Sequence, residues 1–287
     1  MNTKKKHVLA AAAAAAAFAV ACGPVYAKAS ASAEITKLSF TLYDLDPHDG
    51  ITPGISFTYG ESYVGVRIDD YASGLFPYDY KSGSSAFDPV SAAVGTPHGA
   101  AMAEVTGGGT MDSASANASG WITGGGGVNN RFQAYAYPTA PQFVLTPWTA
   151  IRFDAEGTAD AQTTIGTLDE GSHYEYADAY AALQFGVNFD GGYEYHYSER
   201  IASASYSGTW DPDLGKWVYV GDSQHSSGAF SLSFANLSAG EATGWFGAYA
   251  YAYGVSPYAV PEPATGALML GGLALLGSLA WRRRSVR

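Results

Sequence analysis

Three carboxylates fall within the seven residues DLDPHDG, at Asp44, Asp46 and Asp49. Hard anionic oxygens at that density are what a calcium ion takes. The helix–loop–helix calcium loop needs acids or amides at positions one, three and five, Gly at six and Glu at twelve. Counted from Asp44, His48 stands fifth, Asp49 sixth and Ile55 twelfth, so the pattern fails. The spacing predicts a turn shaped by Pro47 and Gly50, with the three aspartates left only as weak metal candidates.

Two histidines have a glutamate two residues away, His173 with Glu175 and His196 with Glu194. On a strand such residues share a face, which would allow chelation. No HExxH spacing supports it, and exposed cross-strand polar pairs are the expected role. There is no GxSxG elbow and no GxxxxGK[ST] loop, and the run Gly124 to Gly127 lacks the lysine of a phosphate cradle. No motif implies a cofactor. A glycosidase needs two carboxylates across a cleft, and the acids here select no pair. Aromatic side chains offer another chemistry, because the flat C–H faces of sugars stack on Tyr and Trp. Tyr249, Tyr251 and Tyr253, or Trp121, Trp148, Trp210, Trp217 and Trp245, would form such a platform. Tyrosines on strands are also ordinary packing residues, and a core role is the expectation.

The elements that must position these residues show period two throughout. KLSFTLYDL puts Leu38, Phe40 and Leu42 on one face, and TAIRFDA puts Ile151 and Phe153 opposite Arg152 and Asp154. ALQFGVNFD aligns Leu183, Phe185, Val187 and Phe189, AFSLSFANL aligns Phe230, Leu232 and Phe234, and YEYHY aligns Tyr193, Tyr195 and Tyr197. Each segment can lay an apolar row on a core and a polar row in water. Turn dipeptides punctuate them at Asp49-Gly50, Pro53-Gly54 and Asp190-Gly191, with DPDLG at Asp211 to Gly215. About ten short antiparallel strands of this kind predict an all-β fold, an antiparallel β-sandwich with the jelly roll as one form of it. The glycine-rich zone from Val105 to Arg131 reads as loops around a short strand, not as a domain boundary.

Between residues 28 and 259 there are eight Lys and Arg against 25 Asp and Glu, a net charge of −17. That balance argues against nucleic acid and anionic membrane surfaces as partners. The single cysteine, Cys22, lies in the first 27 residues. A body beginning at Lys28 therefore needs no disulfide and offers no thiol chemistry.

Both ends read as targeting. Lys4, Lys5 and Lys6 precede an uncharged stretch from Val8 to Cys22, and small residues follow to Ala27. This order predicts a signal peptide over 1–27 cut by signal peptidase between Ala27 and Lys28, with Ala29/Ser30 as the alternative. Toward the other end, Val260, Pro261, Glu262 and Pro263 lead into an uncharged stretch from Thr265 to Trp281, followed by Arg282, Arg283 and Arg284. As a helix, 265–281 would span about 25 Å, thin but usable against a hydrocarbon core of roughly 30 Å. Arginines beside a membrane helix stay cytoplasmic, which places the preceding body outside. Two prolines stiffen the collar and keep it out of both sheet and helix.

This tripartite tail, 260–287, resembles the PEP-CTERM sorting signal, a tail type also called the ice-binding protein C-terminal domain. The resemblance implies a bacterial protein handled by exosortase. It implies transient passage through the inner membrane, cleavage near Pro261–Pro263, and delivery to the cell surface or the extracellular matrix. The expected role of the body is structural or adhesive and not enzymatic. A carbohydrate-binding module contacting extracellular polysaccharide, and a polysaccharide hydrolase or lyase, are the alternatives.

Overall fold

A computed structural model describes residues 27–257 apart from 125–128, 165–166, 170–172 and 214. The predicted leader up to residue 26, the motif 260–263, the membrane helix 265–281 and the basic tail 282–287 lie outside the described residues. Twelve long strands carry the architecture. In chain order they include β1 (Lys28–Asp44), β2 (Ile55–Asp69), β3 (Tyr78–Ser82), β4 (Val90–Thr96), β5 (Gly99–Thr106) and β6 (Ser115–Thr123). They continue with β7 (Asn130–Leu145), β8 (Thr149–Gln162), β11 (Tyr176–Phe189), β12 (Gly192–Ala204), β15 (Ser223–Ala235) and β16 (Ala242–Ser256). Two small ribbons, β9 (Thr167–Asp169) with β10 (His173–Tyr174) and β13 (Ser207–Asp211) with β14 (Lys216–Val220), complete the set.

All pairings are antiparallel. The first sheet runs β15-β8-β1-β6-β5-β4 and the second β12-β11-β16-β7-β2-β3. The two face each other as a sandwich, as the alternation predicted, but with six strands each it is larger than an eight-stranded jelly roll. The strands are also longer than predicted. Segments such as KASASAEI, SANASGW and AEGTADAQ alternate alanine with small polar residues, a pattern of low intrinsic strand propensity that nonetheless has the right period.

Alanine explains the core. At one end of the sandwich the facing rows are almost all methyl groups: Ala29, Ala31 and Ala33 of β1 and Ala116 and Ala118 of β6 face Ala134 and Ala136 of β7 and Ala250 and Ala252 of β16. With so little between them, Cα atoms of β6 come within 8 Å of those of β7 and β16. Sheets facing each other ordinarily lie about 10 Å apart. Val64, Val66, Ile68, Val105, Ile122 and Phe132 are the larger members of this layer, and glycines at 120 and 254 make room for Phe132, since a Cβ at either would strike the ring. The other end is thick. Phe143, Phe153, Phe185, Phe230 and Phe246 are fully buried there, with Phe153 centred 4.6 Å from Phe246 and 5.3 Å from Phe185.

A β-bulge in β1 joins the two regimes. Lys37 adopts φ 55 and the register to β8 shifts between Thr36 and Ser39. Before the bulge odd positions point inward, up to Ile35. After it Leu38 does, and Phe40 and Leu42 follow it only partly, Phe40 staying 37% exposed against Phe57. Asp190-Gly191 forms the two-residue turn between β11 and β12 as expected, closing the Phe189–Gly192 pair.

The first and last strands both sit inside their sheets: β1 between β8 and β6, and β16 between β11 and β7. Lys28 pairs with Thr123 and Ser256 with Asn130, so both strand ends flank the same β6–β7 connection at the alanine end. Ala27 is buried and its carbonyl accepts from the Gly124 N–H at 3.0 Å, while the Lys28 N–H donates to Thr164 Oγ1 at 2.9 Å.

The two halves should respond oppositely to side-chain volume. Ala118→Leu forces bulk between closely approached sheets and is expected to cost about 1–3 kcal/mol or more. Phe153→Ala leaves a cavity at the thick end and is expected to cost about 3–5 kcal/mol. Urea unfolding of the two variants, read as shifts of the midpoint at constant slope, measures both.

Candidate functional site

The acidic loop behaves as a turn. Asp44, Asp46 and Asp49 each accept a backbone N–H two residues on, from Asp46 at 3.0 Å, His48 at 3.1 Å and Ile51 at 2.6 Å. Among the described residues no group of three or more His, Cys, Asp or Glu is placed to hold a metal ion. His196 and Glu194 do meet, at 3.1 Å. His196 nevertheless departs from the exposed polar role expected of it: it is half-buried and stacks on Phe185 at 4.5 Å and 17°. The pairing of His173 with Glu175 lies outside the described side chains; Glu175 itself is buried and takes the Thr164 N–H and hydroxyl.

The aromatic residues hold a larger correction. Tyr249, Tyr251 and Tyr253 do not enter the core. Their alanine neighbours do, with Ala248, Ala250 and Ala252 fully buried, and the tyrosines cover the outer face of the second sheet. YEYHY is inverted in the same sense, since Tyr193, Tyr195 and Tyr197 are 54%, 51% and 40% exposed. The reason is steric. In β7 and β16 the closely spaced sheets take alanine but not a phenol ring, so at each Ala-Tyr alternation there the ring goes outward; in YEYHY the inward place is taken instead by His196, stacked on Phe185.

Register then assembles a pavement. Directly paired residues of an antiparallel sheet point to the same side, and Tyr251 pairs with Tyr135 on one flank and Tyr180 on the other. Tyr63 pairs with Tyr137, and Tyr80 pairs with Gly65, itself opposite Tyr135. Tyr63, Tyr137 and Tyr249 stand as a stack across three strands, with centroids 4.7 and 5.2 Å apart and planes within 16°. Tyr135 lies down over Gly65, where an added Cβ would come within 2.3 Å of its ring. Polar groups lock the rest. Tyr195 donates to Gln184 Oε1 at 2.9 Å and Tyr197 to the Glu199 carboxylate, and buried Asp178 accepts from Tyr176, Tyr180 and Ser203.

Sequence reasoning missed Tyr63, Tyr80, Tyr135 and Tyr137. A signal was present, because AYAY at 134–137 recurs within AYAYAY at 248–253, and the two segments lie on neighbouring strands. The tryptophans do not form one platform. Trp245 joins the tyrosine face, 6.0 Å from Tyr195. Trp121 lies on the other sheet under the Lys28 ammonium, Trp148 sits at φ 51 before β8, and Trp210 is on the β13–β14 ribbon. The Trp217 side chain is outside those described.

Crowding tunes the phenols. Desolvation and the neighbouring hydroxyls push Tyr135 and Tyr251 up to about 12, and Tyr137, Tyr180 and Tyr197 rise further. All stay protonated near neutrality and remain hydrogen-bond donors. Because each folded pKa is raised above the ordinary value of 10, the stability they contribute is complete below pH 10 and is lost as pH climbs to 12 and beyond. A spectrophotometric phenolate titration should show a late-ionising group of tyrosines in the native protein that joins the ordinary group once urea is added. On the alkaline side, unfolding midpoints should fall only above about pH 10.

A family described as the PEP-CTERM protein-sorting motif matches residues 259–284. No curated protein and no solved structure matches the chain. Among the described residues no helix is long and apolar enough to cross a membrane, a statement that does not reach 259–284. The match covers the proline-glutamate-proline collar, the apolar stretch and the first arginines together, as the tail's three-part order predicted. The chain carries a PEP-CTERM protein-sorting motif, the mark of a protein handed to exosortase for export.

Proposed function

We propose that the protein works outside the cytoplasm as a structural, adhesive element of the cell surface or extracellular matrix, and that its tyrosine-covered sheet is the adhesive surface. Signal peptidase frees the body at Ala27–Lys28, the apolar stretch 265–281 holds the precursor in the inner membrane, and exosortase cuts near Val260–Pro263. The body itself catalyses nothing in this account. The observation that carries the adhesive role is the outward turn of the tyrosines over an alanine core: a sandwich with its large apolar rings outside is built for contact. The acidic balance of −17 over residues 28–259 supports solubility in transit.

Topology supports the order of events. Lys28 begins a central strand directly after the predicted cut, so cleavage there removes none of β1, whereas a cut after Ala29 would strip two paired residues. The last strand ends at Ser256, at the same end of the sandwich as the start of β1.

Fractionation of wild-type cells beside a strain lacking exosortase tests this reading. The expected result is a processed protein at the surface or in the medium of the wild type, and a longer membrane-held precursor in the mutant. Replacing Pro261, Glu262 and Pro263 with alanine should reproduce the mutant pattern. The same size and distribution in both strains would contradict it.

A further inference from the structure

The tyrosines of the outer face are not equivalent. Tyr63, Tyr137 and Tyr249 spend their ring faces on one another and expose mainly edges. Along β12, at the edge of the sheet, the arrangement differs. Tyr193, Tyr195 and Tyr197 follow each other at every second residue and are the most open rings of that strand. Tyr195 and Tyr197 lie 6.4 Å apart with planes only 15° from parallel. In this strip of tyrosines these two rings therefore share one orientation along the strand. Trp245 extends the strip inward, 6.0 Å from Tyr195 and tilted by 36°.

Beside the strip is a notch with unspent donors. Gly186 sits opposite both Tyr195 and Trp245 in the register. A Cβ there would come within 2.3 Å of the Tyr193 hydroxyl and 2.5 Å of the Trp245 indole nitrogen, so both donors converge above the bare backbone. Neither has a hydrogen-bond partner among the described residues. Glu199, which accepts from the Tyr197 hydroxyl, puts a carboxylate beside the strip, while Arg200 turns away and donates to the Glu199 and Ala229 carbonyls.

We infer that this strip binds a single chain of neutral polysaccharide, laid along β12 with sugar C–H faces on Tyr193, Tyr195 and Tyr197 and hydroxyls over the Gly186 notch. Two consecutive rings in one orientation, with a third at the same spacing, suit a polymer of repeated flat units, and isolated donors beside them fix its position. An acidic polymer is disfavoured because the strip offers the Glu199 carboxylate and, among the described residues, no free cation. The inference rests on the adhesive reading above and names its ligand class.

Affinity electrophoresis of the exported protein in gels containing a soluble neutral glucan, or alginate with and without calcium, tests it. Retardation by the neutral glucan is expected, insensitive to sodium chloride. It should weaken at least tenfold in Tyr193→Ala/Tyr195→Ala/Tyr197→Ala and persist in Tyr195→Phe, which keeps the ring. Native-like circular dichroism and a cooperative melt of the triple variant, well above the assay temperature, exclude misfolding. Retardation only by alginate, equal binding by the triple variant, or a dimer in sedimentation that the triple variant abolishes would each overturn it, the last by making a second copy of this chain the occupant. Normal glucan binding by a protein whose location ignores exosortase would instead overturn the sorting account and leave this site standing.

Discussion

Over half of this sandwich, alanine methyls make up most of what lies between the sheets, with Val64, Val66, Ile68, Val105, Ile122 and Phe132 filling the rest. That thin layer sends the tyrosines that alternate with these alanines outward. Ala29 to Ala33, Ala116 and Ala118 on one sheet and Ala134, Ala136, Ala250 and Ala252 on the other close the gap, and the intervening residues are excluded from it. On the first sheet those residues are serines, asparagine and small polar groups. On the second they are tyrosines. An alanine layer buries little apolar area, so the rings that cover the outside of the second sheet supply part of what the core does not. Stability and the contact surface thus come from the same residues, and the phenylalanine end anchors both.

Much of the fold was legible in the residues. Period-two alternation in Ile151–Phe153, Leu183–Val187 and Phe230–Phe234 identified strands whose inward faces are those found. Where phase was misread in AYAYAYG, packing thickness was the missing quantity. In YEYHY hydrophobicity assigns the tyrosines to the core, yet Tyr193, Tyr195 and Tyr197 face water and His196 lies against Phe185. Local pattern cannot say how far apart two sheets stand, and that distance decides whether alanine or tyrosine is the inner residue. The parity change across Lys37 was similarly invisible, because a bulge moves the inward set by one residue without altering composition.

The tyrosine surface was only half legible. AYAYAYG shows that a row exists, but the pavement depends on β16 lying between β7 and β11, a pairing of distant segments. Tyr251 beside both Tyr135 and Tyr180 is a property of register. So is the role of Gly65 and Gly186, which read as weak points in a strand and serve as beds for rings. The carboxylates of DLDPHDG were readable locally, because an Asx turn is formed by residues two apart and needs no tertiary partner. The sorting motif was readable for the same reason: its three parts are contiguous and their order alone is specific.

The orientation of the tyrosines is the claim on which the account turns, and chemical footprinting reads it most directly. Brief acetylation or nitration of the native protein, followed by peptide mass spectrometry, should modify Tyr78, Tyr193 and Tyr195 fastest, Tyr137 and Tyr251 slowly, and equalise all of them after denaturation. Protection of Tyr193, Tyr195 and Tyr197 in the folded protein would mean that the second sheet faces the other way, with rings and not methyls between the sheets.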